Sequence, residues 1–144
     1  MILSRSATYG LRAVLYLAVH SNTDEPYGVK AIAKDLSFPE PFLGKVLQNM
    51  VRKGILSSVK GPRGGFYIEK SNLNIPLIKI VEAIDGLEFF SSCGLGLHEC
   101  NDEKPCPIHK EYGALRDGFF KLLSEKTITD IKLDIDAGKS FIVV

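Results

Sequence analysis

Between residues 29 and 68 the apolar positions recur twice at helical spacing and then give way to two short extended runs around a glycine-rich turn. Val29, Ile32, Ala33 and Leu36 mark a short helix. A second helix is expected to start near Pro39 or Pro41, because proline in a first turn forfeits only an N–H that has no helical partner. It should stop at Gly54, a residue suited to the position after a helix end. Within it Leu43, Val46, Leu47, Met50 and Val51 fall at i, i+3, i+4, i+7 and i+8 and share a core face. The opposite face carries Phe42, Lys45, Asn49 and Arg52, with Gln48 at its edge. Ile55 to Val59 then has strand character, Lys60-Gly-Pro-Arg-Gly-Gly65 is a turn, and Phe66 to Glu69 returns as a second strand.

Two helices, a tight turn and a hairpin in this order describe a winged helix-turn-helix. From Pro41 to Ile68 there is no Asp or Glu, while Lys45, Arg52, Lys53, Lys60 and Arg63 supply five positive charges. Lys and Arg donate to phosphate or guanine, and Asn and Gln to adenine, so the outer helix face and the wing tip have the composition of a polyanion-binding surface. The same pattern also fits a merely solvated face, and a GPRGG loop could cradle a nucleotide phosphate. A phosphate loop, however, needs a helix N-terminus after it, and here a strand follows. The net charge of +1 conceals an asymmetry: residues 1–70 carry +5 and residues 71–144 carry −4.

At 144 residues the chain accommodates one small domain with an appended arm. Residues 4–20 form a first helix, capped by Ser4 or Ser6, with Leu11, Val14, Leu15 and Ala18 on its buried face. Asn74-Ile-Pro opens a fourth, with Leu77, Ile80, Val81 and Ile84 at helical spacing up to Gly86. From Pro107 to about Lys126 a long helix places Ile108, Tyr112, Leu115, Phe119 and Leu122 on a 4-3-4-3 seam, the pattern of a two-helix dimer contact. TITDIKLDID suits a last short helix, and KSFIVV either a strand or a loose tail. The reading is mainly α with a small β-wing: a winged helix-turn-helix domain over 1–86, a cysteine loop over 87–106, and a dimerisation helix with its C-terminal segment over 107–144. No stretch reaches the ~18 apolar residues that span a bilayer. The short apolar run Ala13 to Val19 lacks a cleavage site for a signal peptide, and the odd cysteine count argues against a secreted disulfide framework, so the expected compartment is the cytoplasm. No paired carboxylates, nucleophile–base set or cofactor loop is placed for chemistry, which points away from an enzyme.

Residues 87–106 break all periodicity and hold every cysteine in the chain. Cys93, Cys100 and Cys106 are spaced C-x6-C-x5-C, and His109 follows on the first turn of the long helix. Three thiolates and an imidazole suit an iron–sulfur centre or a Cys3His zinc site, although the absence of a C-x2-C knuckle speaks against an ordinary zinc ribbon. Three unconnected thiols, or a disulfide between two of them, remain the alternatives. His98 is a weaker ligand candidate, and His20 is read as structural or exposed.

Four segments together resemble the bacterial Rrf family of winged-helix regulators, the family of IscR, NsrR and CymR: LSRSATYGLRAVLYLA, VKAIAKDL, FLGKVLQNMVRKGILSSVKGPRGGF and IVEAIDG. The KGPRGGF wing after a RKGIL helix end is the most specific, and the three-cysteine loop is similar to that of the iron–sulfur branch. The resemblance implies a cytoplasmic homodimer on a pseudo-palindromic operator in double-stranded DNA, acting as a transcriptional repressor that senses redox state, nitric oxide or iron–sulfur status. It implies Cys93, Cys100 and Cys106 as ligands of a cluster, two-iron two-sulfur ahead of four-iron four-sulfur, with zinc as the lesser alternative. His109 matches the histidine that completes the centre in the IscR-like branch, and Thr8 stands where the NsrR-like branch has an aspartate ligand. The CymR-like branch offers the alternative of a metal-free regulator answering to a protein partner or to thiol oxidation.

On this reading Arg52→Ala and Lys60→Ala each weaken binding across DNA sequences and lower the salt dependence by about one unit of log–log slope. Fluorescence anisotropy at several salt concentrations checks this; affinities equal to the parent's throughout would displace the reading face.

Overall fold

The computed structural model describes residues 2–22, 24–97 and 100–142. Its elements are α1 (Arg5–His20), α2 (Val29–Leu36), α3 (Glu40–Arg52), β1 (Ser57–Val59), β2 (Gly65–Tyr67), α4 (Leu77–Asp85), α5 (His109–Glu125) and α6 (Ile128–Asp136). This is the mainly α architecture with a two-stranded wing that the sequence implies. Among the described residues no helix is long and apolar enough to cross a membrane.

Helix α1 begins at Ser4, whose hydroxyl accepts from the Ala7 N–H at 3.0 Å and donates to Asp85 at the end of α4. It is the central strut, packed by α2, α3, α4 and α6. Its buried face is Ala7, Gly10, Ala13, Val14, Leu17 and Ala18, with Tyr16 beside them. Leu11 and Leu15, expected inside, are only half-buried. The small residues face inward because the neighbouring helices approach closely there: a Cβ on Gly10 would stand 2.2 Å from Ile84 Cδ1.

Helix α3 starts after Pro39, with Pro41 in its first turn, and buries Leu43, Val46, Leu47 and Met50, while Val51 is half-buried. Gly54 leaves it at φ +74°, and both Ile55 and Leu56 donate to the Met50 carbonyl before the wing begins. Those two residues are therefore core plugs, not strand, and the strand is shorter than the expected Ile55 to Val59. β1 and β2 pair antiparallel, Ser57 with Tyr67, Ser58 with Phe66 and Val59 with Gly65. Tyr27 adds a rung by exchanging two 2.8 Å backbone bonds with Phe66, so the loop before α2 braces the wing.

Helix α4 follows Pro76 and ends at Gly86, with φ +75°. The α5–α6 junction is stitched to the segment before it: Leu77 N–H donates to the Lys126 carbonyl at 2.9 Å and Ile128 N–H to Ile75 at 3.1 Å. Helix α6 opens with a capping box between Thr127 and Asp130. Helix α5 buries only Leu123 fully. The expected five-residue seam divides in two. Tyr112 and Phe119 are half-buried, Tyr112 against Gly94 and Phe119 beside Phe90, whereas Ile108, Leu115 and Leu122 face out, Leu115 at 75% exposure. Residues 139–142 form no helix or strand, and Val143 and Val144 of the expected tail lie outside the described residues.

The wing depends on two glycines. A Cβ on Gly64 would stand 2.0 Å from the Val59 carbonyl oxygen, and one on Gly65, at φ +152°, 2.4 Å from the Tyr27 backbone. Gly64→Ala and Gly65→Ala are each expected to cost about 1–3 kcal/mol and to lower DNA affinity without loss of helix content. Urea unfolding with far-ultraviolet circular dichroism and a DNA titration checks both parts.

Candidate nucleic-acid interface and cysteine centre

The outer face of α3 is built by its own periodicity: once Leu43, Val46, Leu47 and Met50 are buried, Lys45, Gln48 and Arg52 must point away from the core. They line an open groove with Pro41 and Gly44. Lys53 is exposed at the helix end, and Lys60 and Arg63 are exposed on the wing turn. Among the described residues none of these five cations is paired with a carboxylate. Their charge is left to solvent or to a polyanion. Phe42 sits at the edge of exposure, its ring edge-on to Tyr9 with centroids 5.3 Å apart, and Tyr9 stacks on Phe38 at 3.8 Å. Phe42 thus splits its surface between the core and the outer face.

Asn49 departs from its expected role. Its side-chain amide donates to the Ala83 carbonyl of α4 at 3.1 Å, and the residue is half-buried. That bond pins α3 to α4 and withdraws Asn49 from the base-reading set, leaving Gln48 as the amide on the outer face.

The cysteine loop starts with a 3-10 turn at Glu88–Phe90 and ends against the first turn of α5. Cys93 is buried and Cys100 and Cys106 are half-buried, all as free thiols. The loop is held by backbone bonds from Cys100 N–H to the Ser91 carbonyl at 3.2 Å and from Gly96 N–H to Cys93 at 3.0 Å. Cys93, Cys100, Cys106 and His109 border one cavity of about 30 Å3. Cys93 and Cys106 lie close enough for each thiol to alter the acidity of the other. Cys100 Sγ meets His109 Nδ1 at 3.2 Å, and His109 Nε2 meets Asp102 Oδ1 at 2.8 Å. The backbone N–H of Leu95 draws the Cys93 thiol below its ordinary value, helped by Cys106 and the Leu97 N–H. At Cys106 the Ile108 N–H acts downward, but burial and the neighbouring Cys93 outweigh it and the thiol is raised.

The structure thus gathers the four expected ligands around one point. Among the described residues no three Cys, His, Asp or Glu side chains stand as a metal-holding group. His98 lies outside the described residues. His20 is exposed at the end of α1, its ring near Tyr16 and Tyr27. The donor set fits a thiolate-ligated centre, and the imidazole carries the support usual for a ligating histidine, a carboxylate on its remote nitrogen. Two residues of this site were not anticipated. Asp102 meets His109, and Arg116 of α5 reaches the Ser92 carbonyl and borders one opening with Cys100. The signal for Arg116 was its place seven residues after His109, on the same helix face.

A family model described as the iron-dependent transcriptional regulator Rrf2 matches residues 3–133. The chain belongs to the Rrf2 family. A relative from Aquifex aeolicus named as an HTH-type transcriptional regulator is 35% identical over 133 residues, 91% of each chain. IscR of Pectobacterium carotovorum is 24% identical over 131 residues, 91% of this chain and 79% of that one. Among solved structures, CymR, the global cysteine regulator of B. subtilis, superposes with a TM-score of 0.74 at 20% identity, over 91% of this chain and 95% of the other. T. potens IscR gives 0.73 at 19% identity, over 96% and 91%. This Rrf2 protein is a winged-helix, DNA-binding transcriptional regulator and not an enzyme.

Asn49→Ala leaves the Ala83 carbonyl without its partner and is expected to lower stability by about 1 kcal/mol with sequence preference unchanged. Gln48→Ala should do the reverse, altering base preference at constant stability. Urea titration paired with a binding-site selection separates the two.

Proposed function

We propose that this protein is a homodimeric repressor whose hold on a pseudo-palindromic operator is set by an iron–sulfur cluster bound at Cys93, Cys100, Cys106 and His109. The observation that carries the reading is the convergence of three free thiols and a carboxylate-backed imidazole on one cavity, at the base of a helix with an unpartnered apolar stripe. In this division, residues 1–86 bind DNA, 87–106 hold the cluster and 107–144 pair the protomers, in the cytoplasm. Lys45, Gln48 and Arg52 face the major groove with Phe42 and Lys53 at its margin, while Lys60 and Arg63 grip the backbone.

Bound there, a two-iron two-sulfur cluster, or less favourably a four-iron four-sulfur one, supplies a one-electron couple and a target for nitric oxide or oxygen. Zinc would supply structure alone. The chain's own part is mechanical and electrostatic. Cys106 lies three residues before His109, and its carbonyl accepts from the His109 N–H at 3.0 Å, so any rearrangement of the thiols is felt at the first turn of α5. Leu115 and Leu122, exposed on that helix, provide the surface for a symmetry mate. Half-sites about 34 Å apart demand a fixed separation of the two α3 helices, which a tilt of α5 would change.

A second reading is favoured by the Cys93–Cys106 contact: a metal-free regulator in which thiol oxidation, or a protein partner, acts on the same loop. Ultraviolet–visible spectra with iron and sulfide assays on protein purified without oxygen separate the readings. The parent is expected to show charge-transfer bands that Cys100→Ala loses and that His109→Ala shifts in wavelength. A colourless parent without iron or sulfide after reconstitution would overturn the cluster.

A further inference from the structure

The remaining features of the molecule include one cation committed to the loop instead of to solvent. Arg116 lies in the second turn of α5 beyond His109, with its side chain only 11% exposed. Its Nη1 donates to the Ser92 carbonyl at 3.3 Å, twenty-four residues earlier in the chain, and Nε and Nη2 both donate to Asp117 Oδ1 at 3.1 Å. It borders a second opening together with Cys100, Asp102 and His109, which brings its guanidinium beside the Cys100 sulfur. One helix thus brings both the His109 imidazole, with Nδ1 3.2 Å from the Cys100 sulfur, and the Arg116 guanidinium to the same side chain. Of the other cations of α5, Lys110 borders the same opening but is exposed, and Lys121 is 73% exposed and faces Glu125 at 3.8 Å.

We propose that Arg116 is a positioning residue of the cysteine centre, fastening the loop to α5 through Ser92 and Cys100 and placing a fixed positive charge beside the Cys100 sulfur. The proposal rests on the cluster reading for its electrostatic part and on the loop contacts alone for its anchoring part. An arginine suits both tasks, because its planar fork serves a carbonyl, a sulfur and a carboxylate together and its charge does not titrate away. A cation beside a ligating sulfur offsets the added negative charge of the reduced centre, so Arg116 raises the reduction potential and favours retention of the reduced form.

The test compares the parent with Arg116→Gln, Arg116→Lys and Lys121→Gln, the last removing an equal charge from the same helix away from the loop. In metal-free protein, amide hydrogen exchange across 91–97 and 100–106 is expected to quicken in Arg116→Gln only. In anaerobically reconstituted protein, spectroelectrochemical titration with dithionite and mediator dyes is expected to give a more negative midpoint for Arg116→Gln. Arg116→Lys should recover part of that shift, and Lys121→Gln should leave the midpoint unchanged. Unchanged exchange in Arg116→Gln would overturn the anchoring role, and an unchanged midpoint, or an equal shift in Lys121→Gln, the electrostatic one. A parent that holds no iron would remove the cluster reading and the electrostatic role with it, while the exchange experiment still decides the anchor.

Discussion

Helix α1 is enclosed by α2, α3, α4 and α6, and this depends on the absence of side-chain bulk at Gly10 and its scarcity at Ala7 and Ala13. A core formed by close helix approach admits few adjustments, since protein interiors are packed too densely to absorb an extra carbon freely. Everything at the surface inherits that rigidity. Helix α3 is seated by Leu43, Leu47 and Met50 with no exposed area, and by the Asn49 bond to α4, so the direction of Lys45, Gln48 and Arg52 follows from buried contacts. The wing is fixed in the same way, by Phe66 in the core and by Tyr27 bonded to its outer edge.

The surface divides by electrostatics as well as by shape. The acid-free stretch from Pro41 to Ile68 leaves its five cations exposed, whereas acids accumulate in the C-terminal half. Within that half the cysteine loop draws charge inward: the Arg116 side chain is 11% exposed and Asp102 is committed to His109. Charged groups are drawn out of water mainly where something else compensates, here Asp117 and the Ser92 carbonyl for Arg116.

Most of the fold was legible because the strongest signals were periodic. Leu43, Val46, Leu47 and Met50 repeat at helical spacing, Gly54 and Gly86 mark helix ends, and the glycine-rich turn can only be a hairpin tip. What was not legible depended on neighbours. A helical wheel puts Asn49 on the outer face because it cannot know that the Ala83 carbonyl stands opposite. Leu11 and Leu15 outrank Gly10 and Ala13 in hydrophobicity, yet the smaller pair faces inward, since contact distance and not side-chain size decides the buried face of α1. Tyr112 and Phe119 share a seven-residue interval with Ile108, Leu115 and Leu122, and only the position of Gly94 and Phe90 separates the two sets. In the cysteine loop, spacing pointed to Cys93, Cys100, Cys106 and His109, which border one cavity, but carried nothing about Asp102 or Arg116, whose contacts arise from the turn of the chain around them.

The two ends of α5 are attached differently. At its C-terminal end, backbone bonds join Lys126 and Ile128 to Leu77 and Ile75 around the start of α4. At its N-terminal end, the attachment runs through the cysteine loop. A 17-residue helix is about 25 Å long, which is the distance that separates the two attachments. A displacement of 1 Å where the loop meets it corresponds to a swing of roughly 2° about the far junction. Under the proposed cluster reading the loop acts at the end of α5 farthest from that junction, so a rearrangement of its sulfur atoms has the longest arm over which to turn the face that Leu115 and Leu122 present.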